Sequence, residues 1–322
     1  MTTDGPILQT ENLTKKYGDF VALDSLTISL NRGQILGLIG PNGAGKTTTI
    51  KILVGQARPT SGSAHIAGSD CQRDTRRIKR LVGYMPDVFG GYDNMRVHEY
   101  LDFFGAAFSI PPKQRTERIG HVLEIAGAAS FKDSFVDSLS HGMKQRVAIA
   151  RTLIHDPQVL ILDEPANGLD PQARIDMRQL LHRLAEQGKT LIVTSHILPE
   201  LSRICDQVAI MTQGRLRAIG TVDEIMRRLT QRRLFEILCT ASDDLQRTAV
   251  IVRRHQSDDA QVTTSPTEQI VRFQTSGSDQ ELKTLLVELI QVGVGISQFR
   301  EVPTDLEDAY LSITRAAEKA AI

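Results

Sequence analysis

The sequence predicts an α/β protein with a mostly parallel core sheet covered by helices. An antiparallel β subdomain precedes that sheet, a helical subdomain interrupts it, and a small α+β domain follows. Three observations carry this prediction. The runs QILGLIG, QVLILD and TLIVTSH are short and continuously apolar, as strands buried on both faces must be. Segments of helical period bound each run, which is the pattern of a sheet layered between helices. The stretch from about 90 to 157 is helical in pattern and holds no good strand.

In chain order, ILQTENLTKKY and VALDSLTISL alternate apolar and polar residues, as antiparallel strands with one wet face do. QILGLIG then runs into a glycine-rich loop and the helix KTTTIKILVG. After the helical insertion come QVLILD and TLIVTSH. Composition shifts near residue 227, where MRRLTQRR is basic and polar, so a first domain is expected over 5–227 and a second over 228–322. In the second, LFEILCT reads as a strand and DLQRTAVIVRRH as a helix. QVTTS and EQIVRFQTS read as a hairpin, ELKTLLVELIQ as a helix and GISQFREV as a strand. That order is the split ferredoxin-like arrangement. A last helix is expected at about 305–317.

Composition narrows the function. The chain has 322 residues, with 38 Lys plus Arg against 38 Asp plus Glu, so no net charge draws it to nucleic acid or to an anionic membrane. Cys71, Cys205 and Cys239 are scattered, with neither metal spacing nor a disulfide framework, which suits a reducing cytoplasm. The start MTTDGPILQTENL carries acids and lacks the apolar core of a signal peptide. The apolar runs are far too short to cross a bilayer, so any membrane part is expected on another chain.

The loop GPNGAGKT, Gly40 to Thr47, fits G-x-x-x-x-G-K-[ST] between a strand and a helix. Glycines let successive N–H groups turn inward toward phosphate oxygens, and the helix start adds partial positive charge. Lys46 adds a full charge, and the Thr47 hydroxyl is a ligand for Mg²⁺. At the end of VLILDEP, Asp163 is placed to reach the metal. Glu164 beside it is expected on the other side of the strand, as the base for water. Asp170 falls in the turn ANGLDP, and His196 closes the strand TLIVTS. The phosphate loop, Asp163 and His196 all occupy carboxyl ends of strands, where ligands of parallel sheets bind.

These residues, in this order, resemble the ATP-binding subunit of an ABC transporter over about residues 7 to 225. The motifs are Tyr17, GPNGAGKT, GYMPD, LSHGMKQR, VLILDEP, NGLD and SHI. The resemblance implies that Tyr17 stacks on adenine. Gly40, Pro41, Asn42, Gly43, Ala44, Gly45, Lys46, Thr47 and Thr48 cradle the ATP phosphates, and Thr47 and Asp163 serve Mg²⁺. Glu164 polarises water, His196 meets the γ-phosphate, and Asp170 acts across a dimer interface. Ser140 and Gly142 face ATP held by a second subunit. Two motifs depart from the family's usual form: LSHGM stands for LSGGQ, and Asp87 stands for a glutamine. Both departures, and the ending DLEDAYLSIT, resemble a bacterial export branch with separate permease chains. There a larger, often basic residue is usual where His141 stands, which places an imidazole near the polyphosphate.

The resemblance thus implies an ATPase, homodimeric or heterodimeric, that powers export through a membrane permease on a separate chain. It would sit in the cytoplasm, peripheral on the inner face of the membrane, without nucleic acid. A soluble ATPase driving an assembly scaffold is the alternative, and a nucleotide-binding scaffold without turnover is a third reading that Glu164 opposes. The basic run RDTRRIKR, Arg73 to Arg80, reads first as a solvated helix face. FGGYDNM, Phe89 to Met95, reads either as a loop tucked onto its own domain or as a surface toward the permease.

Overall fold

The computed structural model describes residues 5–90, 94–195, 201–229, 233–255 and 262–302. The chain divides into two compact units, Met1–Val222 and Asp223–Ile322. The sequence reading placed this boundary at 227, and a helix, Val222–Leu229, runs across that point.

In the first unit, β1 (Leu8–Tyr17) and β2 (Phe20–Leu30) pair antiparallel, and β4 (Ser61–Ile66) lies on the other side of β1 with β5 (Ser69–Asp70) beyond it. Their alternation buries Leu8, Leu13, Leu23, Leu26 and Ile28 on one face only. The core sheet has the order β10-β9-β3-β8-β7-β6. Its strands are β3 (Ile35–Ile39), β6 (Val82–Met85), β7 (Val159–Asp163), β8 (Thr190–Thr194), β9 (Gln207–Thr212) and β10 (Arg215–Gly220). All run parallel except β10, which is antiparallel to β9. Every residue of β3 and β8 is buried, as their unbroken apolar runs require. Each Leu or Ile withdrawn from water here contributes roughly 1.5–3 kcal/mol before entropy is counted.

Helix α1 (Lys46–Leu53) follows β3, and α2 (Thr75–Leu81) precedes β6. Within α2 only Ile78 is buried, so most of the basic run Arg73–Arg80 faces solvent. The insertion contains α3 (Val97–Ala107), α4 (Pro112–Ile125) and α5 (His141–Leu153). Its longer pairings are helical, and Arg96 and Phe135 form an isolated bridge. Phe89 of the aromatic loop packs on the buried Tyr100, with ring centroids 5.7 Å apart, while residues 91–93 lie outside the described residues. Helix α6 (Pro171–Glu186) leads into β8. Its N-cap is Asp170, whose side chain accepts from the Ala173 N–H at 2.8 Å, and Pro171 fits the first turn.

Helix α7 (Val222–Leu229) starts at the last residue of the first unit, and the second unit continues as β11 (Arg233–Cys239), α8 (Ser242–His255), β12 (Val262–Ser265), β13 (Ile270–Thr275), α9 (Asp279–Gln291) and β14 (Ile296–Val302). Its sheet is antiparallel, in the order β12-β13-β11-β14. Phe235, Ile237, Val271 and Phe273 join Leu245 and Val252 of α8 and Leu285 and Leu289 of α9 in one core. Alternation puts Glu236 on the other face, where it accepts from Arg272 at 2.6 Å and from Arg300 at 2.7 Å. The expected helix at 305–317 lies outside the described residues.

Candidate functional site

The loop Gly40–Thr47 leaves β3 and enters α1 through two left-handed glycines, Gly43 (φ 82°) and Gly45 (φ 103°). A Cβ at Gly40 would stand 2.5 Å from the Met211 carbonyl oxygen. One at Gly45 would stand 2.7 Å from Leu23 Cδ2 and 2.8 Å from the Ala22 oxygen. The loop is therefore pressed against β2 and β9 from behind, and its tip, Pro41 to Gly43, is exposed. Thr47 is exposed and Thr48 half-buried at the first turn of α1. Lys46 folds back on its own loop, donating to the carbonyls of Gly40 at 2.5 Å and Pro41 at 3.2 Å. Burial lowers its pKa, and the charges of Glu164 and then Asp163 oppose that shift. The cation and both carboxylates thus belong to one electrostatic group.

The carboxylates are held by β7 and β8. In the parallel register Asp163 lies beside Thr194. The buried Thr194 hydroxyl donates to Asp163 Oδ1 at 2.6 Å and accepts from the Glu164 N–H at 3.0 Å. Here the structure corrects one expectation. Glu164 is not the next residue of an extended strand, because β7 stops at Asp163 and Glu164 takes φ 53°. This left-handed backbone costs a non-glycine residue on the order of 1 kcal/mol or more. Tyr84 of β6 reports the same concentration of charge. Burial raises the pKa of its hydroxyl, and Asp163 and Asp87 raise it further.

A second group gathers around the turn after Glu164. The Asn167 N–H donates to the Glu164 carbonyl at 3.1 Å, and Asn167 Nδ2 reaches Asp87 Oδ1 at 3.5 Å. His141 Nε2 lies 2.7 Å from the Asn167 carbonyl. Ser140 caps α5, accepting from the Met143 N–H at 3.3 Å, and Gly142 follows in its first turn. Tyr17 stands apart, at the β1–β2 turn opposite Phe20; its ring is half exposed and Lys15 Nζ lies 4.7 Å from its centre. His196 lies outside the described residues. Tyr84 lies in GYMPD and Asn167 in NGLD, yet neither they nor Thr194 were singled out from sequence, since their contacts depend on register or on a turn.

Beside Tyr84 a cleft of about 460 Å³ opens between α1, α2, α3 and α5, lined by Ile78, Phe104, Phe108, Arg151 and His155 among others. His155 stacks on Phe108 at 3.9 Å and its Nε2 meets the Val82 carbonyl at 3.1 Å, while Nδ1 is buried without a partner. Burial pushes its pKa down to about 4.

A strand, glycine loop and helix with a half-buried lysine, together with a carboxylate pair at the end of β7, one strand removed across β8, define a nucleoside triphosphatase of the phosphate-loop class. Comparison with known proteins narrows the class. A family model described as ABC transporter matches residues 23–167. The linearmycin resistance ATP-binding protein LnrL of Bacillus subtilis is 30% identical over 96% of this chain and 98% of its own length. The Nod factor export ATP-binding protein I of Ralstonia nicotianae is 39% identical over 69% of each chain. The probable multidrug ABC transporter ATP-binding protein YbhF of Escherichia coli is 37% identical over 68% of this chain, which spans only 38% of that protein's length. Among solved structures, an ATP-binding subunit of an ABC transporter superposes with a TM-score of 0.63 at 31% identity, covering 69% of this chain and 92% of its own. The cbiO1 protein of Clostridium perfringens, part of the complex cbiONQ, gives 0.64 at 28% identity over 70% of this chain and 95% of its own. The chain belongs to the ATP-binding subunits of ABC transporters. No helix among the described residues is long and apolar enough to cross a membrane.

Proposed function

We propose that this chain hydrolyses ATP as one of two paired cassettes and thereby powers export through a membrane permease carried on a separate chain. The observation that supports this most strongly is the grouping of Lys46 with Asp163 and Glu164 at the carboxyl ends of β3 and β7, which flank β8. Gly40 to Thr48 wrap the phosphates, with Lys46 giving up its carbonyl partners for phosphate oxygens. Tyr17 offers an exposed face for the adenine ring.

The donors fit a magnesium ion. Thr47 and Asp163 supply hard oxygens, and among the described residues no group of three His, Cys, Asp or Glu could hold a metal without the nucleotide. When bound there, Mg²⁺ neutralises charge on the β- and γ-phosphates. Glu164 takes the proton of the attacking water. His196 contacts the γ-phosphate. Ser140 and Gly142 face the ATP of the second copy, and Asp170 meets that copy across the interface.

Asp87 and the cleft beside Tyr84 support the permease side of the reading. The cleft has an apolar floor and basic residues, Lys79 and Arg151, in its lining. An amphipathic cytosolic helix with an acidic residue complements it. The chain would then lie on the inner face of the membrane. The export direction rests on the relatives described as export, multidrug and resistance proteins.

The test is Glu164→Gln. Hydrolysis is expected to fall at least about a hundredfold, while ATP affinity is retained and an ATP-dependent dimer accumulates in size-exclusion chromatography. Turnover at the wild-type rate overturns the assignment of the base. An assembly-scaffold ATPase is the outcome if affinity capture from detergent-solubilised membranes returns no multi-span protein.

A further inference from the structure

We propose that His141 is a positioning residue that ties the start of α5 to the Asn167–Gly168 turn. Through this tie, the helix end that serves a second copy's nucleotide moves together with the segment carrying this copy's own Glu164 and Asp170. The inference rests on the paired-ATPase reading above and concerns how its two sites communicate.

The contact is specific. The Asn167 carbonyl can only accept, so His141 Nε2, 2.7 Å away, carries the hydrogen and donates it. The ring also lies against the bare Cα of Gly168, whose φ is +69°. A Cβ there would stand 3.1 Å from Nε2 and 3.2 Å from Cδ2. The imidazole is therefore committed to its own chain, not held out toward a phosphate. The Gln145 side-chain amide lies 3.4 Å from the same nitrogen.

Asn167 is the hub of this tie. Its carbonyl accepts from His141, its N–H donates to the Glu164 carbonyl, and its side-chain amide reaches Asp87. Displacing His141 therefore acts on the residue whose N–H bonds the carbonyl of the left-handed Glu164. A second contact runs parallel to it. A Cβ at Gly142 would lie 3.4 Å from Leu169 Cδ2, so the first turn of α5 rests on the residue before Asp170. Further along the helices, Arg146 pairs with Asp176 at 2.8 Å. That pair keeps α5 and α6 joined when the His141 tie is cut, so the effect is local. Ser140 at one end of the tie and Glu164 at the other serve different nucleotides in the paired reading. A rigid link between them makes occupancy of one site felt at the other.

The test compares steady-state ATP hydrolysis by the wild-type chain, His141→Leu and His141→Gln. Leu keeps bulk without a donor; Gln restores an N–H at a similar reach. His141→Leu is expected to lose about tenfold in kcat, the size of one lost hydrogen bond, with KM moved less than about twofold. Its Hill coefficient for ATP is expected to fall from the wild-type value toward one. His141→Gln is expected to recover both within about threefold. Unchanged kcat and Hill coefficient in His141→Leu, failure of Gln to rescue, or a wild-type Hill coefficient of one each overturns the proposal. A wild-type chain that neither binds nor hydrolyses ATP overturns the ATPase reading itself.

Should His141→Leu fail to fold, the contact is read from a cycle of Gly168→Ala in the native and His141→Gly backgrounds. The strain of a methyl group on left-handed backbone is common to both backgrounds and cancels. The remaining difference is the clash with the ring, so Gly168→Ala is expected to damage turnover several-fold more when His141 is present. Additive effects overturn the proposal.

Discussion

Thr194 shows how much one hydroxyl can determine. It donates to the carboxylate of Asp163 and receives the N–H of Glu164, so it holds one acid by its side chain and the next by its backbone. Thr194→Val keeps the shape and removes both bonds. The expected cost is about 1–3 kcal/mol in urea unfolding, because a buried N–H loses its acceptor. The kcat is expected to fall more than ATP affinity, and Thr194→Ser to restore most of it; equal loss in both variants contradicts the role. Residues of this kind were hard to read in advance. GPNGAGKT was legible because its chemistry is local: glycines, lysine and threonine at fixed offsets. Thr194 depends on which residue of β7 it lies beside, and that register exists only once the sheet has formed. Glu164 was expected on an extended strand. Strand alternation was the available guide, and the chain leaves the strand one residue earlier.

Among the elements, β6 and α5 meet so closely that Gly83 has no room for a side chain. A Cβ there would stand 2.5 Å from the Thr152 carbonyl oxygen and 2.9 Å from Pro157 Cγ. Gly83→Ala is expected to destabilise the first unit by about 1–3 kcal/mol, seen as a lower urea midpoint with an unchanged slope. The same pair of elements holds His155. Its folded pKa, about 4, lies below the ordinary histidine value of about 6.5, so the unfolded chain binds a proton that the folded chain refuses. Stability is therefore undiminished above pH ~6.5 and declines as pH falls from there toward 4. The full loss is on the order of 3 kcal/mol. Removing this histidine, as in His155→Leu, is expected to flatten the urea midpoint between pH 6.5 and 4.5 relative to wild type. The core strands were readable from sequence because both of their faces are apolar. The cleft was not, because α1, α2, α3 and α5 are far apart in the chain.

On the scale of the whole molecule, each unit has a core of its own, which is the physical meaning of the division near residue 222. The order of strands and helices in the second unit was legible from the switch between periods of two and 3.6. The row Arg272–Glu236–Arg300 was not, since three separated strands bring it into line. Both arginines keep substantial contact with water, so the cost of removing Glu236 falls below that of breaking a fully buried pair. Glu236→Ala is expected to lower the stability of the second unit by about 1–2 kcal/mol. ATP turnover is expected to stay within about twofold, checked by calorimetry and an ATPase assay on the same preparation.

The resting posture of Lys46 has a consequence for discrimination among anions. Its ammonium is already satisfied by two carbonyls of the loop it belongs to. A newcomer must displace those partners before it gains the lysine. In the phosphate-binding reading proposed above, a lone sulfate or orthophosphate must recover that loss with few contacts. A polyphosphate tail spans the loop amides and the ammonium at once and offsets it. In that reading the loop sets a threshold that chains of phosphate cross more readily than single small anions.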